Sequence, residues 1–198
     1  MKYFLIFISL FFMLACTTTK PTITEFKLNV DINKIENSSL ACRDKTIKVS
    51  KAFSNPSLVS LKMDYVQGKN KVFTYTQSQW VESPRQAVSK EIYSSLRDSG
   101  LFKYVNIDVS RSVNDYIIEI IIEDFMQYYN EDLTSSYANV KVNINVINLK
   151  DSSVVASKTF SSKVDTKTLD ASGGVQALTE ALSNVVNQNI EWLNGVCK

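Results

Sequence analysis

The sequence predicts an α+β fold, a mostly antiparallel mixed sheet packed by two main helices, in one domain spanning residues 26–198. Three observations predict it. Segments with period-2 alternation flank two stretches with helical spacing. The order is strands, helix, strands, helix, with neither strict βα alternation nor an internal repeat. The chain of 198 residues with 44% hydrophobic content can bury one sizeable core and is short for two.

Phe26, Leu28, Val30 and Ile32 alternate with Lys27, Asn29 and Asp31, which predicts a first strand over 26–32 with one buried face. A second short strand is expected over Lys45–Phe53, ended by Asn55-Pro56. The segments LVSLKMDYV and KVFTYT flank QGKN, a hairpin in which Gly68 can take positive φ. Ser83-Pro84 opens a helix: serine can cap, proline is preorganised at the first helical position, and Gln86 completes a capping-box pattern. Val88, Ile92, Leu96 and Ser99 stripe its inner face, and Gly100 ends it. LFKYVNIDV is a further strand.

Residues 115–125, DYIIEIIIEDF, are apolar on both faces near their middle, which suits a central strand. In ANVKVNINVINL, Val140, Val142, Ile144 and Val146 point inward, with Asn139, Lys141, Asn143 and Asn145 outward. KDSS then turns the chain back into VVASKTFSSKV, an edge strand rich in serine and lysine. The last helix carries Val175, Leu178, Leu182, Val185, Val186, Ile190 and Leu193 at helical spacing, with Ser172 as its expected cap and Gly195 at its end. Its outer face of Asn184, Asn187 and Gln188 is easily dehydrated; it suits either a partner contact or a plain uncharged solvent face.

The N-terminus, MKYFLIFISLFFMLAC, is one lysine followed by a mostly apolar run that stops at Ala15, too short for a spanning helix of roughly 20 residues. It reads as a signal segment over 1–15. MLAC resembles the lipobox of bacterial lipoproteins, with Met13 where leucine is usual, and implies lipidation at Cys16. Residues 16–25 then form a polar tether containing Pro21. Buried acyl chains at about 0.8 kcal/mol per methylene hold such a protein on a membrane without a second anchor. Thr17, in place of a retention aspartate, favours the outer membrane, with the folded part facing the periplasm.

The function classes narrow by what is missing. The sequence contains no histidine, so the commonest general base, nucleophile partner and zinc ligand are gone. No enzyme activity, cofactor or metal is expected. With 22 basic against 20 acidic residues and no run of like charge, a nucleic-acid partner is disfavoured. Cys42 and Cys197 remain in an oxidising compartment and are expected to form a disulfide, with two separate buried thiols as the alternative. Gly173-Gly174 lacks a phosphate-loop context and reads as a hinge into the last helix. Glu119 and Glu123 share a strand face, which reads as solvated in the absence of a partner base. DFMQYYNED, residues 124–132, suits either an exposed aromatic patch or core.

Taken with the lipobox, YTQSQWVESP (75–84) before an amphipathic helix, SGLFKYV (99–105) and GGVQALTEALSNVVNQNIEWL (173–193) resemble the ABC-type transport auxiliary lipoprotein family, which includes the PqiC lipoproteins. Trp80 followed by Glu82 and Ser83-Pro84 is its most distinctive element, and Trp192 also fits. The cysteine pair is not part of that pattern. The resemblance implies a fold similar to the TolB N-terminal domain and an outer-membrane lipoprotein of a lipid transport system. The partners it implies are an MCE-domain protein and ABC transporter subunits, with phospholipid or further copies of the chain as additional ones. Tyr75, Gln79 and Trp80 are the candidate partner or lipid surface, against a packing role for Trp80 where strand meets helix. A structural or pilotin-like lipoprotein that assists assembly of an envelope or secretion complex is the alternative function.

Overall fold

The computed structural model describes residues 21–31 and 42–196. Among them, nine strands form one mixed sheet: β1 (Thr24–Phe26), β2 (Thr46–Val49), β3 (Phe53–Ser54), β4 (Lys62–Gln67), β5 (Lys71–Trp80), β6 (Tyr104–Ile107), β7 (Tyr116–Tyr129), β8 (Ser136–Asn148) and β9 (Val154–Asp165). The described residues also form two helices, α1 (Pro84–Ser99) and α2 (Ala171–Leu193), and a short 3-10 turn at Pro56–Val59.

The central strand is β7, which carries the isoleucine run. One of its sides pairs along its whole length with β8, which pairs with β9, both antiparallel. The other side is tiled in succession by β2, β3 and β4, all parallel to it. The long ladders are therefore antiparallel and the short ones parallel. β6 lies outside β2, and β5 then β1 lie outside β4, so the sheet forks on that side of β7.

Ile118, Ile120 and Ile122 of β7 and Val140, Val142, Ile144 and Val146 of β8 are buried, as are Val88, Ile92 and Leu96 of α1 and all seven apolar residues predicted for α2. A bulge between Ile122 and Asp124 then changes the phase of β7, so that Phe125, Gln127 and Tyr129 take over the buried positions. Alternation read without the bulge would have turned these three outward.

Several boundaries differ from the sequence reading. The first strand covers only Thr24–Phe26. Residues 27–31 leave the sheet, and Asp31 reaches α2: its amide donates to Ser183 Oγ (3.2 Å) and its carbonyl accepts from Asn187 (3.4 Å). Leu28 stays buried there; Ile32 falls outside the described residues. The expected strand over Lys45–Phe53 is broken at 50–52, where the Ala52 amide turns to Ser89 Oγ of α1 (3.0 Å). The segment LFKYVNIDV is extended only over Tyr104–Ile107.

Helix ends also differ. Ser83 precedes Pro84 as expected, but its hydroxyl donates to Gln86 Oε1 (3.0 Å) and caps no backbone N–H. Gly100 ends α1 at φ 65°. The cap of α2 is Asp170 and not Ser172: its carboxylate accepts the Gly173 N–H at 2.8 Å. Gly173 and Gly174 are not a hinge but sit inside the first turn, where close neighbours leave no room for a β-carbon. The dehydratable face of α2 is partly taken by its own chain, through Asp31 and through Asn184 bonded to Ser162 of β9 (3.1 Å).

Candidate functional site

Strand β5 holds the three residues singled out as a surface, and the structure separates them. Between Lys62↔Gln79 and Asp64↔Thr74 the β4–β5 register slips, because β5 carries extra residues there. The bulge lets Tyr75 and Trp80, five apart, both reach the helix side of the sheet. Trp80 is 4% exposed, and its ring meets Phe125 edge-on at 6.2 Å between centroids. It is therefore core at the strand-to-helix junction. Gln79 points elsewhere and donates to Glu25 of β1 (2.8 Å).

Tyr75 belongs to a cluster at the far end of the sheet. Tyr65 lies 4.6 Å from Tyr75, 5.2 Å from Tyr129 and 5.6 Å from Phe73, centroid to centroid. The Tyr75 hydroxyl donates to Gln127 Oε1 (2.9 Å); its one proton thus spent, it accepts from Tyr129 (2.7 Å). Gln127 Nε2 continues the chain to Ser136 Oγ (3.1 Å). Burial pushes the Tyr75 phenol far above its ordinary value and also raises that of Tyr129. Both stay protonated at neutral pH. They offer rings and hydroxyls for packing and binding rather than a base. Of DFMQYYNED, Phe125 and Tyr129 are thus core, and Tyr128 bonds Asp124 (2.8 Å) on the opposite sheet face.

A second feature had no signal in the sequence. Where the chain breaks between β2 and β3, a cleft of about 430 Å³ opens against α1, walled by Val49, Tyr93, Ile107 and Val109. Lys51, Lys90 and Asp108 line it as well. On the outer face of the sheet a hollow of about 450 Å³ holds Phe53, Ile117 and Ile121 and shares Ser50, Lys51 and Asp108 with the cleft. The two are faces of one notch at the sheet edge. Phe53 is 72% exposed and Val109 81%, large apolar groups that a monomer leaves in water only at a cost. In the sequence each is simply the last residue of an expected strand, Lys45–Phe53 and LFKYVNIDV.

Cys42 is buried and disulfide-bonded. Cys197 and Cys16 lie outside the described residues. Among the described residues no helix is long and apolar enough to cross a membrane.

The architecture has a known counterpart. It is similar to that of the DUF330 protein XCC0632 from Xanthomonas campestris, with a TM-score of 0.78 at 18% identity over 87% of this chain and 96% of that one. An uncharacterized protein matches with a TM-score of 0.66 at 9% identity, over 87% and 99% of the two chains. Protein CT253 from Chlamydia trachomatis matches at 0.52 and 8% identity, over 78% and 98%. At such identities the likeness is one of fold. No protein-family model matches the sequence, and no curated protein matches it.

Proposed function

We propose that this chain is a non-enzymatic lipoprotein, anchored through Cys16 in the outer membrane and facing the periplasm, that serves an MCE/ABC-type lipid transport system as its auxiliary component. The observation that carries the reading is the notch beside α1: an open apolar cleft with charged groups at its edge, in a sequence without histidine. Such concave apolar sites with a few polar groups are where small amphiphilic ligands bind. The lipobox-like MLAC and the segments around Trp80 and along α2 support the membrane anchor and the partner class.

The test is in cells. A photoreactive residue replaces exposed Phe53 in the full-length chain, and crosslinked partners are identified by mass spectrometry, alongside a deletion strain challenged with detergent. Recovery of MCE or permease subunits, with raised detergent sensitivity, supports the reading. Recovery of secretin or pilus components alone would replace it with the assembly-factor function.

A further inference from the structure

We infer that the notch between α1, β2 and β6 takes one acyl chain of a zwitterionic phospholipid, with the lipid phosphate at Lys51 and Lys90 and the head-group ammonium at Asp108. The identity of the lipid as cargo rests on the transport reading, but the site itself rests on the following geometry.

The walls come from three elements that meet only in the tertiary fold. Val49 closes β2, Ile107 closes β6, Tyr93 faces them from α1, and Val109 stands in the segment after β6. About 430 Å³ lies within the range of roughly 300 to 1,000 Å³ typical of small-molecule sites. Apolar groups also lie beyond the cleft: the hollow around the sheet edge past Ser50 and Lys51 is lined by Phe53, Ile117, Ile120 and Ile121, with Glu119 beside them. A long flexible chain fits such a bent track better than a rigid ring does.

The rim supplies the charge argument. Lys51 and Asp108 line both faces of the notch, and among the described residues neither forms an ion pair within 4.0 Å. Lys90 pairs with Glu82 at 3.2 Å, a half-exposed contact that a phosphate can outcompete because exposed pairs contribute little. Charges of both signs beside one apolar cleft match a head group that carries both. A purely anionic head would pair with the lysines but leave Asp108 without a partner. Another hollow, about 590 Å³ between Lys45 and Lys150, lies at the start of β7 and has a more polar lining of Ser112, Asn114, Asp115 and Asn148.

The experiment uses the lipidated full-length protein in living cells whose phospholipids carry radiolabelled phosphate. A photoreactive residue is placed at Val109, and, as controls, at the exposed Val113 and Leu133 outside the notch. The expected result is a labelled adduct at Val109 only, lost when Lys51→Glu or Ile107→Glu is added, with phosphatidylethanolamine as the lipid released on digestion. Melting curves of both variants show whether the fold survives. Three outcomes would overturn the site: no adduct at Val109, equal adducts at all three positions from mere proximity to the membrane, or an adduct indifferent to both variants in folded protein. Release of anionic lipids alone would overturn the zwitterionic assignment. An adduct that persists in a strain lacking MCE proteins, with no partner crosslinked through Phe53, would keep the lipid site while removing the transport reading.

Discussion

Gly174 of α2 and Gln127 of β7 press together so closely that a β-carbon on the glycine would collide with the glutamine side-chain oxygen. That oxygen is the acceptor for Tyr75, so the small residue in the helix sets the depth at which the Tyr75–Gln127–Ser136 chain lies. On helix propensity alone alanine would improve this position by about 1 kcal/mol. The collision wins, because overfilling a packed site typically costs about 1 to 3 kcal/mol. Gly174→Ala is expected to lower the melting temperature, and Gln127→Ala in the same chain to recover part of the loss. Additive effects in that double-mutant cycle would remove the coupling claimed here.

Asn189 is 1% exposed, and among the described residues both polar atoms of its side-chain amide lack a hydrogen-bond partner. An unsatisfied buried polar group costs about 1 to 3 kcal/mol. Asn189→Leu should therefore stabilise the protein, raising the melting temperature by roughly 2 to 4 °C for each kcal/mol gained. A lower melting temperature would mean that a buried water satisfies the amide.

The three candidates on β5 should separate by stability. Trp80→Ala opens a core cavity and is expected to cost about 3 to 5 kcal/mol. Tyr75→Phe leaves the Gln127 acceptor and the Tyr129 hydroxyl short of one partner, at about 1 to 2 kcal/mol. Gln79→Ala removes a contact to Glu25 at the sheet edge and should stay within about 0.5 kcal/mol. Urea denaturation ranks them; a large effect at Gln79 with none at Trp80 would contradict the burial described above.

Asp170 predicts a pH dependence. The Gly173 N–H and the Thr168 hydroxyl (2.7 Å) hold its carboxyl below the usual value. A folded-state pKa below the unfolded one, about 3.9 for aspartate, stabilises fully above the unfolded value and is lost as pH falls through the folded one. Asp170→Ala should cost about 1 kcal/mol at neutral pH. In acid, below both values, the melting curves of parent and variant should converge. Asp170→Asn keeps an acceptor for the cap and should lose little at neutral pH.

Patterns of local period were legible without the structure. The apolar faces of both helices, the inward valines of β8 and the central place of β7 all follow from spacing, since a strand repeats every two residues and a helix every 3.6. The candidate surface was less legible. Trp80 and Tyr75 are separated by five residues, which strict alternation places on opposite faces, and the β5 bulge that brings both to the helix side has no local signature. The same holds for Phe125, Gln127 and Tyr129 beyond the β7 bulge. Asp170 was missed as a cap because Ser172 is equally suitable by residue type, and only the backbone path chooses between them.

The sequence by itself determined the α+β class, the two amphipathic helices and the absence of histidine, because each depends on composition or on neighbours a few residues apart. The tertiary structure alone decided that Trp80 is core, that Asp31 docks on α2, and that Val49, Tyr93, Ile107 and Val109 line an open cleft. The reason is physical: a cleft is made by surfaces from β2, α1 and β6 failing to close on one another. That failure depends on where a sheet forks and a strand breaks, which no periodicity in the chain encodes.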